Sequence, residues 1–146
     1  MDFITKLKRG WKKGKFICIG LDPVSDKLPK SVSGDFFKFN KAIIDETSDS
    51  VLAYKPNSAF YEAEGAKGIE WLKKTCDYIH QYTSIPVILD AKRADIGSTN
   101  EGYVKFAFDY LSADAYDEKE CPLCREGKPI NTEVGHGKEY LRNKKN

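Results

Sequence analysis

Three short apolar runs, evenly spaced along the chain, limit what it can fold into more than any other feature. The runs begin at Phe16, Val51 and Pro86, so each starts 35 residues after the one before. Each has the length of a β-strand and is nearly continuously apolar, which is typical of a strand buried on both faces. The segments between and after them carry the apolar spacing of amphipathic helices. This alternation predicts an α/β fold with a parallel sheet and right-handed crossovers.

The length of the repeat agrees with a (β/α)8 barrel, in which one unit takes ~31 residues, although doubly wound sheets use similar units. About three βα units are present, and the residues from Ala113 could begin a fourth strand. The pattern stops near residue 116. We therefore predict two regions, an α/β domain over 1–115 and an irregular tail over 116–146 that contains the sequence CPLC.

Composition narrows the choice of partners and location. The 24 Lys and Arg residues nearly balance the 22 Asp and Glu residues, so we expect no nucleic-acid and no membrane partner. No apolar run approaches the ~20 residues of a membrane span. The N-terminus shows the spacing of a short basic amphipathic helix and lacks an apolar signal core, which favours a cytoplasmic location. Cys18 and Cys76 lie in apolar segments and are expected to be buried.

Charged and polar side chains follow each of the three predicted strands. They are Asp22, Lys55, Asn57, Asp90, Lys92 and Asp95. The carboxyl ends of parallel strands form the functional face of such folds, so these residues should meet there. Asp90 and Lys92 are two apart on an extended chain and should point to one side, whereas Arg93 should face away.

Two interpretations of these charges remain open at this point. Strand-to-helix loops are polar in most proteins, so any single charge also fits a solvated turn. A lysine flanked by acids, however, stays protonated and is suited to donate a proton or to bind an anion. The joint placement of both signs of charge favours a site.

Three motifs carry a resemblance to a known family. The stretches "IGLDP", "AYKPNSAFYEAEG" and "LDAKRADIGSTN" resemble orotidine 5'-phosphate decarboxylase, in its bacterial and archaeal subgroup with the DAKR-type motif. The similarity extends over residues 1–115. It implies the N-terminal half of a (β/α)8 barrel, from an enzyme that works as a homodimer without a cofactor. That enzyme removes CO2 from orotidine 5'-monophosphate to give UMP in pyrimidine biosynthesis.

The resemblance also implies roles for individual residues. The catalytic array would consist of Lys55, Asp90, Lys92 and Asp95. Within it, Lys92 would protonate C6 of the pyrimidine, Asp90 would lie near the leaving carboxylate and Lys55 would bond to the ribose. The implied substrate-binding residues are Asp22, Asn57, Ile96 and Thr99, of which Ile96 and Thr99 would be supplied with Asp95 across the dimer interface.

The rest of such a barrel has no counterpart in the sequence. Barrels of this type bind phosphate in the loops after strands 7 and 8, and that binding supports chemistry at the distant base. We therefore expect this chain to be truncated, and weakly active or inactive alone. Three or four strands also leave sheet edges unpaired, which predicts aggregation or pairing between half-barrels.

Other interpretations stay open. The tail sequence "ECPLCREGKPI" resembles the C-terminal end of orotate phosphoribosyltransferases, so the chain could be a non-catalytic remnant of a deleted or fused gene pair of one pathway. A related Mg²⁺-dependent sugar-phosphate lyase would place its metal at Asp90. Cys121 and Cys124 with His136 give three of the four ligands that structural zinc requires, and free thiols are the alternative.

Overall fold

The parallel sheet predicted from the apolar runs is present as a strand pair with a third segment beside it. The structure is a computed structural model that describes residues 2–93 and 97–114, all within the unit Met1–Ala115. The strands are β1 (Ile17–Gly20) and β2 (Val51–Lys55). The helices are α1 (Phe3–Trp11), α2 (Phe36–Thr47), α3 (Ser58–Glu62), α4 (Gly65–Tyr82) and α5 (Gly97–Val104). Two 3-10 turns, Ser25–Lys27 and Lys30–Val32, follow β1, and a π-helix, Lys105–Tyr110, continues α5.

The third apolar run lies beside β2 but forms an interrupted ladder with it. The Tyr54 N–H donates to the Pro86 carbonyl at 3.1 Å, and the Asp90 N–H donates to the Pro56 carbonyl at 3.0 Å. Among the described residues, the two segments form two isolated bridges, Tyr54 with Val87 and Asn57 with Asp90. A regular parallel ladder needs an N–H at position 56, and proline has none. We call residues 86–93 the third segment. Its predicted position is confirmed, and Pro56 explains why it is not a continuous strand.

The predicted fourth strand is described only at its beginning. The Asp114 N–H donates to the Val87 carbonyl at 3.0 Å, as expected for a chain that begins to run alongside the third segment. Residues 115–146 lie outside the described part of the chain. The fourth strand, the boundary near residue 116, the irregular tail and the candidate zinc ligands Cys121 and Cys124 therefore stay predictions.

The hydrophobic core lies between the strands and helices α2 and α4. Its fully buried members include Leu21, Phe36, Ile44, Val51, Tyr54, Tyr61, Leu72, Cys76, Ile79 and Val87. A buried polar network crosses this core. The Tyr61 hydroxyl donates to the Leu21 carbonyl at 2.7 Å and accepts from Asn40 Nδ2 at 2.8 Å, and Asn40 Nδ2 also donates to Thr75 at 3.1 Å. Burial raises the pKa of Tyr61, so its hydroxyl stays protonated and available as a donor.

The prediction that the first strand is buried on both faces is wrong. Phe16 and Ile17 are 71% and 58% exposed, and Cys18, predicted to be buried, is also exposed. Among the described residues β1 pairs with β2 alone, and its side chains are mostly exposed. Cys76 is buried as predicted, and burial raises its pKa to about 12.

The N-terminal amphipathic helix predicted from the sequence is confirmed as α1, and a buried carboxylate connects it to the sheet. Lys6 of α1 forms an ion pair with Asp114, whose side chain is 9% exposed. The second oxygen of that carboxylate accepts from the Val87 N–H at 2.8 Å and lies 3.6 Å from Nε2 of His80. Asp114 thus joins α1, the end of α4 and the third segment. Within the described part of the chain, no helix is long and apolar enough to cross a membrane.

We predict that Tyr61→Phe destabilises the fold. The substitution leaves the buried Leu21 carbonyl without its hydroxyl partner, which costs about 1–3 kcal/mol in the free energy of unfolding. Urea unfolding followed by circular dichroism measures the loss. Tyr82→Phe is the matched control, because it removes the same hydroxyl group from a tyrosine that is 64% exposed. Equal stability losses in the two variants would contradict the assignment of the buried network.

Asp114→Asn is expected to change how stability depends on pH. Burial alone would raise the pKa of Asp114, but hydrogen bonds from His80, Lys6 and the Val87 N–H outweigh burial and hold that pKa below its ordinary value of 3.8. A lowered pKa stabilises the fold above the ordinary value, and the effect disappears as pH falls through the folded-state pKa.

Urea unfolding across this pH range tests the expectation. Wild type should exceed Asp114→Asn in unfolding free energy by about 1.5–3 kcal/mol at neutral pH, and the gap should close in acid. The exposed Asp49→Asn variant should show no such gap. If the difference in unfolding free energy between wild type and Asp114→Asn is the same at every pH, the charge of Asp114 does not contribute to stability.

Candidate functional site

The carboxyl ends of β1, β2 and the third segment lie side by side. Gly20, the last residue of β1, is the register partner of Lys55, the last residue of β2. The Leu21 N–H donates to the Lys55 carbonyl at 3.1 Å, and Asn57 is bridged to Asp90. The side chains that follow each strand therefore lie at one edge of the sheet, where the sequence predicts a site.

The centre of the site is the carboxylate of Asp90, which two lysines share. Lys92 Nζ lies 2.5 Å from Oδ1, and Lys55 Nζ lies 3.3 Å from Oδ2. The Asp90 side chain is 24% exposed, and the two lysines are 36% exposed at Lys55 and 71% exposed at Lys92. The expectation that Asp90 and Lys92 point to one side is confirmed by this contact.

The charge state of the array follows from its contacts. The hydrogen bond from Lys92 lowers the pKa of Asp90, burial opposes it, and Lys55 lowers the pKa further. Asp90 is therefore an anion at neutral pH. One carboxylate faces two ammonium groups, and the Asp22 carboxylate at the end of β1 balances the remaining positive charge. An ammonium group within such an arrangement can contact an anionic group of a substrate and can donate a proton.

Asp22 and Asn57 form the neighbouring part of the site. Asp22 Oδ1 accepts from the Asn57 N–H at 3.0 Å, and Asn57 Oδ1 accepts from the Ala59 N–H at 3.2 Å. The Asn57 side chain thus caps the first turn of α3. A Cβ atom at Gly20 would lie 3.3 Å from Asp22 Oδ2, so glycine leaves the Asp22 carboxylate room beside the strand end.

The backbone leaves the extended conformation at Lys92. Lys92 has a φ of 48°, in the left-handed region that non-glycine residues rarely adopt. Arg93 faces away from the array, as predicted. Its guanidinium pairs with Glu62 and lies 5.4 Å from the ring centroid of Tyr103. Neither partner is recognisable from sequence spacing, because α3 and α5 meet Arg93 only in the folded chain.

The other predicted site residues are Asp95, Ile96 and Thr99. Asp95 and Ile96 lie outside the described residues, so their predicted roles stay predictions. Thr99 is exposed on α5.

Among the described residues, no group of three or more His, Cys, Asp or Glu side chains could hold a metal ion. The charges around Asp90 also disfavour a divalent cation there, because both carboxylate oxygens already face ammonium groups.

Comparisons with known proteins agree with the motifs at the strand ends. The family model described as Orotidine 5'-phosphate decarboxylase / HUMPS family matches residues 15–117. An orotidine 5'-phosphate decarboxylase of Cellvibrio japonicus is 50% identical over 122 residues, which cover 79% of this chain and 44% of that protein. One of Herpetosiphon aurantiacus is 53% identical over 139 residues, covering 81% of this chain and 51% of that protein.

A solved structure gives the same result for the fold. The OMP decarboxylase of Leishmania donovani superposes with a TM-score of 0.67 at 35% identity, over 77% of this chain and 42% of that chain. The predicted fold class, part of a (β/α)8 barrel, is thereby confirmed. The chain spans about half the length of the curated relatives that it matches.

We predict that the two lysines contribute unequally to the pKa of Asp90. Lys92→Ala should raise the pKa of Asp90 more than Lys55→Ala does, because the hydrogen bond from Lys92 is shorter and lowers that pKa most. NMR titration of the Asp90 side-chain carboxyl carbon measures both shifts. A larger rise in Lys55→Ala would reverse the assignment.

Proposed function

The chain belongs to the Orotidine 5'-phosphate decarboxylase / HUMPS family, and on that premise we propose that it carries the proton-donating half of a decarboxylase site. The proposed reaction converts orotidine 5'-monophosphate to UMP and CO2, without a cofactor. The observation that carries the proposal is the Asp90 carboxylate shared by the ammonium groups of Lys55 and Lys92.

Lys92 is the proposed acid. As the bond between C6 and the substrate carboxylate breaks, CO2 departs and the electron pair stays on C6. The Lys92 ammonium donates a proton to C6, and the neutral amine regains a proton from water. A charge already in place beside the developing carbanion stabilises the transition state, because the site need not reorganise during the reaction.

Asp90 and Lys55 would support that step. Asp90 holds Lys92 by a 2.5 Å contact and would lie near the departing carboxylate. Lys55, on the other oxygen of Asp90, would bond to the ribose, and Asp22 would bind a ribose hydroxyl. Asn57 is proposed as a substrate-binding neighbour in addition to capping α3.

The remaining elements of the proposal concern assembly. Asp95, Ile96 and Thr99 would serve the site of a second subunit in a homodimer. The chain would act in the cytoplasm on a small nucleotide. The phosphate of that nucleotide would require the barrel elements of the relatives beyond the half that this chain matches, and phosphate binding supports chemistry at the base. The chain is therefore expected to be weakly active or inactive alone.

A chimaera separates the chemistry from this requirement. Residues 1–114 would replace the matching segment of the Herpetosiphon aurantiacus relative, and loss of orotidine 5'-monophosphate absorbance would report turnover. We expect the chimaera to decarboxylate and Lys92→Ala to lower its kcat by about 10²–10⁴-fold, the usual contribution of a general acid. Lys74→Ala is the control, since Lys74 pairs with Glu70 on the exposed face of α4.

Two results would contradict the proposal. One is a chimaera that binds UMP but shows no turnover, which is the behaviour of a non-catalytic remnant. The other is turnover that Lys92→Ala leaves unchanged. For the chain alone, turnover sensitive to Lys92→Ala would show that half a barrel suffices, whereas Mg²⁺-dependent turnover would favour the related lyase.

A further inference from the structure

The position of Lys92 depends on backbone that is unfavourable by itself. With a φ of 48°, Lys92 lies in the left-handed region, which non-glycine residues rarely adopt. Such a conformation persists only where the surroundings hold it on both sides. On the upstream side, the Asp90 N–H donates to the Pro56 carbonyl at 3.0 Å and the Asp90 carbonyl accepts from the Ser58 N–H at 3.1 Å.

On the downstream side, Arg93 is held by three different groups. Its Nη2 contacts Glu62 Oε1, its guanidinium lies 5.4 Å from the Tyr103 ring centroid, and its Nη1 donates to the Ala91 carbonyl at 3.4 Å. The Arg93 side chain is 31% exposed. Arg93 and Tyr103 also line a cleft of about 380 Å³ between the third segment and α5. A guanidinium suits this position because it can pair with a carboxylate and lie against a ring at once.

Helix α3 connects the two sides. Its first residue, Ser58, donates its N–H to Asp90, and its last residue, Glu62, pairs with Arg93. An α-helix rises about 1.5 Å per residue, so these ends are roughly 6 Å apart along the axis. The short helix therefore fixes the third segment on either side of Lys92.

We propose that Arg93 is a positioning residue that, through its ion pair with Glu62, keeps Lys92 turned onto the Asp90 carboxylate. The meaning of this device for catalysis rests on the proposed function, but the physical claim concerns only the contact between Lys92 and Asp90. Glu62 and Arg93 touch neither oxygen of Asp90 in the contacts described above. They act through the backbone that carries Lys92.

Glu62→Gln discriminates positioning from a direct effect of charge because the two have opposite signs. Removing a negative charge from the neighbourhood of Asp90 would by itself lower the pKa of Asp90. Releasing Arg93 frees Lys92 from Asp90, and the loss of that hydrogen bond raises the pKa of Asp90. The sign of the change thus identifies the cause.

The experiment is an NMR titration of the Asp90 side-chain carboxyl carbon in the full chain. The variants are Glu62→Gln, Lys92→Ala and the double variant, with Glu70→Gln as the control for loss of an exposed ion pair on α4. We expect Glu62→Gln to raise the pKa of Asp90 by at least half of the rise seen in Lys92→Ala. The pKa of Asp90 in the double variant should equal that in Lys92→Ala, and the pKa of Asp90 in Glu70→Gln should equal that in wild type.

A pKa of Asp90 that is unchanged or lowered in Glu62→Gln would overturn the inference. The inference would also be overturned if Glu62→Gln raised the pKa of Asp90 as much in the Lys92→Ala background as it does in wild type. Glu62 would then act on Asp90 without Lys92. If Glu62→Gln fails to fold, Glu62→Asp takes its place in the titration. It keeps the negative charge but shortens the side chain, so it should also release Arg93 and raise the pKa of Asp90. The titration does not require turnover. A negative titration would therefore reject the positioning role of Arg93, whereas the activity of the Lys92→Ala chimaera tests the proposed function separately.

Discussion

The carboxylate of Asp90 is the interaction on which the site and its surroundings depend. The backbone of Asp90 forms hydrogen bonds with Pro56 and Ser58, which follow β2 in the same chain. These bonds fix the third segment against the end of β2. The side chain of Asp90 then holds Lys55 and Lys92 on separate oxygens. Without an anion between them the two ammonium groups would repel each other, so Asp90 allows two lysines to lie at one folded strand end.

Much of this arrangement follows from sequence. Parallel pairing predicts that Lys55 comes to the edge that carries Asp90. The contact between Lys92 and Asp90, expected from an extended chain, forms instead with Lys92 in the left-handed conformation. Amphipathic spacing predicts α1, α2 and α4, and the capping-box spacing of Ser98 and Glu101 predicts the start of a further helix; all four helices are present. Local periodicity is sufficient for α2 and α4 because each presents one face to the core.

Other features required the folded chain. Cys18 is exposed although it lies in an apolar run. The run predicts a strand, but it does not show which elements will cover that strand. The break in the third ladder arises from Pro56, whose missing N–H matters only once the register of Pro56 against the third segment is known. The contacts of Arg93 with Glu62 and Tyr103 join residues of three elements, and no spacing along the chain encodes them.

A crystal structure of the full chain tests most directly whether the array is formed before substrate binds. The account predicts Lys55 Nζ and Lys92 Nζ on different oxygens of Asp90, with Lys92 in the left-handed conformation and Arg93 on Glu62. An Asp90 carboxylate that faces solvent, with Lys92 turned away in an ordinary extended conformation, would contradict it.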